Sequence, residues 1–318
     1  MNQKKLAQLA GVSPATVSKA FRYSDRISEE TRQRIFAIAR EHNCFEKFSK
    51  GKYPKKLIVV FSPEISSDFY NLLVINLEKR IISAGAIMSL VITGFDPQKE
   101  QEYFDYYAKE GRADGIILLD PQAQIQNPNF FPSVALFPNH KQSCDTIHVD
   151  WSPAVNDAIQ LLKRQNRQSI VFIGERLTSH KLSIFRECMQ KNLLPVLEKN
   201  LYISDLRFEN AGKWAVEQMQ HQTTMPDAII AAYDYIAFGA IAALKEAGYR
   251  VPEDIAVIGM DDTHLNQYVD MPLTTIHIHF EELCDAAMDL ITKKMENRYY
   301  FLRQEITVSA SLVCRNST

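Results

Sequence analysis

The chain has 318 residues, 46% of them hydrophobic, and a formal net charge of −2. This is enough for more than one domain with a buried core, and it excludes a disordered or collagen-like chain. No run of eighteen apolar residues and no apolar leader core occurs, so the expectation is a cytoplasmic protein with no membrane association.

The near-neutral total hides an asymmetry. Residues 1–56 hold 13 Lys and Arg against 5 Asp and Glu, whereas the remainder holds 23 against 33. A small basic module joined to a large acidic one points to polyphosphate attraction at one end. The five cysteines, Cys44, Cys144, Cys188, Cys284 and Cys314, are scattered without Cys-x-x-Cys spacing. They read as reduced, buried thiols and not as a disulfide frame or a metal site.

In chain order, Leu6, Ala7, Leu9 and Ala10 recur at helical spacing, and Gly11 stops that helix where the chain reverses. Ser13 caps the next helix and Pro14 suits its first position. Val17 and Phe21 point inward, leaving Ser13, Pro14, Ala15, Thr16, Ser18, Lys19 and Arg22 as the candidate DNA-facing set. A third helix begins at Ser28, with Glu29 and Glu30 at the positive end of its dipole, and Ile35, Ile38 and Ala39 close a three-helix core. Two short helices about a tight glycine turn read as a helix-turn-helix. The headpiece is placed at residues 1–42 and a linker at 43–56, where Gly51 and Pro54 break regular structure and five lysines, Lys47 and Lys50 among them, suit phosphate contact.

From Leu57 short apolar runs alternate with helical stretches. Strands are expected at 57–61, 87–92, 115–119, 133–137 and 146–149, with helices at 69–83 and 97–110. The alternation restarts after Asp150, with helices at 153–165, 180–192, 207–221 and 235–247 and strands at 169–173, 201–204, 227–231, 255–258 and 274–278. A helix at 280–297 and a strand at 305–311 complete the chain. Two β-α series in succession predict an α/β core of two doubly wound parallel sheets.

Leu6-Ala7, Ala10-Gly11-Val12-Ser13, Thr16-Val17-Ser18-Lys19 and Ile27-Ser28-x-x-Thr31-Arg32 resemble the headpiece of the lactose-repressor (LacI/GalR) family of bacterial transcription regulators. Pro226-Asp-Ala-Ile, Asp234-x-x-Ala-x-Gly-Ala, the run from Gly248 through Val-Pro252 to Gly259-Met-Asp261-Asp262, and Pro272-Leu-Thr-Thr-Ile276 resemble its periplasmic-binding-protein-like core. The resemblance implies a homodimeric repressor bound to double-stranded operator DNA and controlled by a sugar-like small-molecule effector, with no cofactor. It places the first core subdomain at 57–149 and 280–303 and the second at 150–279 and 304–318.

By position, the resemblance assigns base reading to Pro14, Ala15 and Lys19. Effector gripping falls to Arg186, Asp234 and Asp261, with Tyr233 standing where the family has Asn. The loop from Pro63 to Phe69 and Tyr70 corresponds to the cleft edge of the first subdomain.

Alternatives accompany these assignments. The linker lacks the family's Pro-Asn and spaced Ala and Leu, so Phe45 and Phe48 either replace the minor-groove wedge or pack onto the third helix. Trp151 either stacks on a ligand ring or packs at the hinge, Arg186 either grips the effector or lies on the surface, and Asp261 either binds or caps a turn. Two other function classes are a regulator whose cleft binds nothing and an enzyme on the same core. The latter is motivated by His277 and His279, which with Asp261 suggest a metal set without a third ligand at suitable spacing. No Gly-x-Ser-x-Gly, phosphate loop or His-Glu-x-x-His occurs, so the chain reads as a non-enzyme.

Overall fold

The computed structural model describes residues 1–21, 26–49, 56–109, 112–127, 130–296 and 302–318. The N-terminal segment forms α1 (Gln3–Leu9), α2 (Pro14–Phe21), α3 (Glu29–Glu41) and α4 (Phe45–Ser49). Each of the first three is entered through a side-chain oxygen that accepts an otherwise unpaired N–H. Asn2 Oδ1 takes that of Lys5 at 2.9 Å, Ser13 Oγ that of Thr16 at 3.1 Å and Ser28 Oγ that of Thr31 at 3.3 Å. Gly11, at φ +64°, reverses the chain after α1. Leu6, Ala7, Val17, Phe21, Ile35 and Phe36 are among the residues that share one small core.

The expected linker fails in its first part. Residues 45–49 are helical, and the Phe45 and Phe48 rings lie 5.3 and 5.6 Å from that of Phe21, with Phe45 also 5.0 Å from Phe36. Three short helices bury too little apolar surface alone, and a fourth carrying two aromatic rings completes the cluster. These rings are therefore headpiece core and not a groove wedge, and the headpiece extends to residue 49. Gly51 and Pro54 of the linker lie outside the described residues.

The first core lobe contains β1 (Leu57–Ser62), α5 (Asp68–Ser83), β2 (Ile87–Ile92), α6 (Pro97–Lys109), β3 (Gly115–Leu119), β4 (Ser133–Leu136) and β5 (Asp145–Asp150). The second contains α7 (Ser152–Arg164), β6 (Ile170–Glu175), α8 (Ser179–Lys191), β7 (Leu201–Ser204), α9 (Glu209–Gln220), β8 (Ala228–Ala231), α10 (Asp234–Glu246), β9 (Ala256–Asp261) and β10 (Thr274–His277). Then come α11 (Phe280–Glu296), β11 (Glu305–Ser309) and β12 (Ser311–Val313). The two sheets run β11-β5-β4-β3-β1-β2 and β12-β10-β9-β8-β6-β7, parallel except for the β10–β12 pair. The central strands are near-continuous apolar runs because helices cover both faces. The α/β fold of two doubly wound sheets is thus present.

Helix α11 returns to the first lobe, where Arg80 of α5 is paired with Asp285 and donates to the Glu281 carbonyl at 3.1 Å. The terminal strand, expected as one piece in the second subdomain from residue 304, is two. Glu305 to Ser309 pair in parallel with Thr146 to Asp150 of β5, and only β12 joins the second sheet. Left alone, β5 would present a free edge, and β11 satisfies those backbone groups before the chain crosses at Ala310. Of the cysteines, four are buried as expected but Cys314 is exposed, and all five are free.

Helices α9 and α10 approach closely through two glycines. A Cβ on Gly239 would stand 2.0 Å from the Glu209 carbonyl oxygen, and one on Gly212 would stand 2.1 Å from that of Ile236. Because these helices start at the lobe's inner edge, their separation sets the position of Phe208 and Tyr233. Gly239→Ala is expected to lower unfolding free energy by roughly 1–3 kcal/mol or more, from the cost of overpacking. Denaturant unfolding checks this, and an unchanged midpoint would contradict the contact.

Candidate functional site

Two regions bring the expected functional residues together. On α2, Ser13, Pro14, Ala15 and Lys19 are exposed and Thr16 and Ser18 half-exposed, while Val17 and Ala20 are buried. The Ser13 and Thr16 hydroxyls lie 2.8 Å apart, so both are engaged in the cap, and Gln3 Nε2 donates to the Pro14 carbonyl at 2.8 Å, tying α1 to α2. Lys47 Nζ donates to the Met1 carbonyl at 3.1 Å. Arg22 and Lys50 lie outside the described residues.

The second region is a cavity of about 350 Å³ between the lobes, at the carboxyl ends of the strands. From the first lobe, Phe69, Tyr70, Phe95, Asp120 and Phe137 line it; Trp151 does so from the crossing between β5 and α7; and from the second lobe Glu175, Lys181, Arg207, Phe208, Tyr233 and Asp261 are among those that do. Of the expected residues, Phe69, Tyr70, Trp151, Tyr233 and Asp261 are thus brought together. The Tyr70 hydroxyl donates to Asp120 Oδ2 at 2.7 Å, and Asn139 Nδ2 donates to Asp120 Oδ1 at 2.9 Å. Burial pushes the Asp120 carboxyl up to about 6 against the pull of these hydrogen bonds. Burial, then the Asp120 charge, raises the Tyr70 phenol well above its usual value. The Tyr233 hydroxyl accepts the Phe208 N–H at 2.9 Å, fixing a residue whose φ is +56°.

Arg186 does not reach the cavity. It is paired bidentately with Glu198 at 2.9 and 3.0 Å on the exposed side of α8. Lys181 lies five residues earlier and hence about 140° around the helix, which puts it on the inner face. Its Nζ donates to Asp261 Oδ1 at 3.0 Å and to the Ala232 carbonyl at 2.8 Å, and stands 4.2 Å over the Trp151 ring. Trp151 is therefore both cavity wall and packing partner. Burial raises the Asp261 carboxyl, with Lys181 opposing. Lys181 was legible from the stripe it shares with buried Phe185, Cys188 and Met189.

Asp234 is not a cavity group either. Fully buried, it accepts the Thr263 N–H at 2.8 Å, Asn266 Nδ2 at 3.0 Å and the Thr275 hydroxyl, and so braces the β9–β10 connection from the start of α10. Gly259 makes room for it, since a Cβ there would lie 2.3 Å from Asp234 Oδ1. Burial pushes Asp234 up to about 7. Asp262 is likewise structural, held by Arg315 at 2.6 Å and His277 Nδ1 at 2.9 Å. His277 therefore faces Asp262 and not Asp261, and no three His, Cys, Asp or Glu among the described residues are placed to hold a metal ion.

Sequence reading missed the groups that join the lobes. Arg207 donates to Glu64 of the first lobe through both terminal nitrogens, at 2.8 and 2.9 Å, and its Nε stands 3.4 Å from Glu175 Oε2. Burial acts to raise Glu64, but hydrogen bonds led by that from Arg207 hold it below its usual range. Asp68 and His264 form a second contact between the lobes at 3.0 Å. Nothing local marks Glu64 and Arg207 as partners, because 143 residues separate them.

Carboxyls with raised values keep a proton in the folded protein that the unfolded chain has released. The contribution of these groups to stability therefore falls as pH rises from about 4, that of Asp120 until about pH 6. Asp120→Asn can keep both hydrogen bonds, because Tyr70 can turn from donor to acceptor. It is expected to flatten that slope by at most about 1.4 kcal/mol per pH unit. Identical slopes for parent and variant in denaturant unfolding across this window would contradict the burial argument.

Residues 4–44 match the family of bacterial regulatory proteins called the lacI family, and residues 159–318 match the periplasmic binding protein-like domain. The HTH-type transcriptional repressor CytR of Escherichia coli (strain K12) is 27% identical, with 99% of this chain and 95% of the relative covered. The HTH-type transcriptional regulator DegA of Bacillus subtilis (strain 168) is 28% identical, with coverage of 98% and 96%. Among solved structures, the lac repressor dimer bound to operator and the anti-inducer ONPF superposes with a TM-score of 0.73 at 21% identity, covering 100% of this chain and 99% of that one. The transcriptional regulator CelR–cellobiose complex gives 0.70 at 21% identity, covering both chains in full, at 100%. The headpiece, the two-lobed core and these matches along the chain agree: the protein belongs to the lacI family of DNA-binding bacterial transcription regulators.

Proposed function

We propose that the protein is a homodimeric repressor whose operator affinity is set by a small molecule, a sugar or related metabolite, held between the core lobes. The observation that carries this reading is the cavity at the strand ends, walled by aromatic rings and crossed by Arg207 and Glu64, in a chain that also presents the exposed face of α2. Aromatic faces suit the apolar side of a sugar ring, and charged groups suit its hydroxyls. Relatives support the regulatory half, CytR and PurR being named repressors. Relatives with a similar core were solved with bound glucose and bound ribose, which supports the ligand half.

In this reading Ser13, Pro14, Ala15, Thr16, Ser18 and Lys19 form the operator face. Arg22, Lys47 and Lys50 add phosphate contact. Lys19 donates to a guanine edge, Pro14 and Ala15 touch apolar base surface, and a two-fold dimer gives each headpiece one half-site. In the cleft, Phe69, Tyr70, Trp151, Tyr233 and Asp261 act with Lys181 and Arg207, which take over from Arg186 and Asp234. Ligand changes the balance between lobe orientations, and with it the spacing of the two headpieces. In this reading the regulator acts in the cytoplasm, where operator DNA lies. The described residues include no helix long and apolar enough to cross a membrane.

Operator binding by full-length protein tests the assignment. Lys19→Ala is expected to lose about 1–3 kcal/mol of discrimination at one base pair, whereas Lys47→Ala weakens all duplexes alike and lowers the salt slope. Identical behaviour of the two variants would remove Lys19 from the reading role.

A further inference from the structure

The cleft carries more negative than positive charge. Glu64, Asp68, Asp120, Glu175 and Asp261 line it, against Lys181 and Arg207. Both cations are already engaged, Lys181 with Asp261 and Arg207 bidentately with Glu64. Asp68 has His264 beside it at 3.0 Å.

That leaves Asp120 on the first lobe with no cation, and Glu175 on the second with only a long contact to an Arg207 already committed to Glu64. Asp120 is hydrogen-bonded by the neutral groups of Tyr70 and Asn139. Glu175, with its side chain 5% exposed, accepts a hydrogen bond from Arg207 Nε through Oε1 at 3.4 Å, and its Oε2 has no hydrogen-bond partner. The nearby histidines do not correct the balance. Burial, then the Lys181 charge, pushes His180 down to about 4, and His148 faces Glu305 at 3.3 Å. The buried Thr263 hydroxyl, also on the cavity wall, has no hydrogen-bond partner either.

Uncompensated carboxylates in a low-dielectric cavity are unfavourable, and a cationic ligand group relieves them while an anionic one adds to the repulsion. The walls act in the same sense. Phe69, Phe95, Phe137, Phe208 and Tyr235 line the space with aromatic rings, which tolerate a cation beside them as Phe95 and Phe208 already do with Arg207, at 5.9 and 4.7 Å.

We propose that the cleft selects a hydroxylated ring compound bearing a protonated amine, such as an amino sugar, and rejects its acidic or phosphorylated counterparts. The amine sits between Asp120 and Glu175, and the ring hydroxyls meet Thr263 and the Arg207–Glu64 pair. This specificity rests on the reading of the cleft as an effector site.

Calorimetric titration of the full chain with matched series tests it. Glucose, galactose, ribose and adenosine would each be offered in neutral, amino-substituted and phosphorylated form. In at least one series the amino form is expected to bind roughly tenfold or more tightly than the neutral one, with the phosphate weakest. Asp120→Asn and Glu175→Gln should each shrink that ratio. Neutral or phosphorylated members binding as tightly as the amines in every series would overturn the charge preference and leave the effector cleft standing. Silence across all members, amines included, would overturn both.

Discussion

The bidentate pairing of Arg207 with Glu64 is the constraint on which the geometry of this receptor core depends. Each lobe is a sheet-and-helix unit with its own buried strands, and the lobes are also joined by chain crossings, including the one at Ala310. Across the open edge, the guanidinium fork fixes both distance and angle between the lobes, as a single point charge would not. The Asp68–His264 contact adds a second point, so the lobes cannot rotate freely about the first.

Inside that clamp the polar groups are arranged by strain relief and local satisfaction. Lys181 neutralises Asp261 and packs on Trp151, so the carboxylate at the end of β9 is tied to the first turn of α8 and to the crossing after β5. Asp234 performs a different task at the start of α10, bracing the β9–β10 connection in full burial with Gly259 cleared to admit it. The proposed function follows from this division. Groups paired with a close opposite charge keep the lobes in shape, and those whose charge is least compensated, Asp120 and Glu175 foremost, remain for a ligand whose binding would reset the clamp and the headpieces beyond it.

Much of the fold was legible because its signals are local. Caps at Ser13 and Ser28, the turn at Gly11 and the apolar strands each depend on a few adjacent residues. What was not legible depended on partners distant in sequence. The division of the last strand at Ala310 answers to an edge of β5 more than 150 residues earlier. Phe45 and Phe48 suit a groove or a core equally by sequence, and what decides between them is contact with Phe21 and Phe36, at least nine residues away in the chain. In the cleft, Asp261 and Tyr233, assigned through the resemblance, lie at the cavity wall. The resemblance failed at Arg186, where helical phase turned the side chain outward to Glu198 and gave the inner face to Lys181.

The central claim is that the contact between the lobes at Arg207 and Glu64 is coupled to DNA binding. Operator selected from a random duplex pool, titrated against the parent chain, Glu64→Gln, Arg207→Gln and the double variant, tests it most directly. The account predicts that both single changes move operator affinity in the same direction and that the double adds little to either, a coupling of about 1 kcal/mol or more. Four indistinguishable affinities, with folding intact, would contradict it.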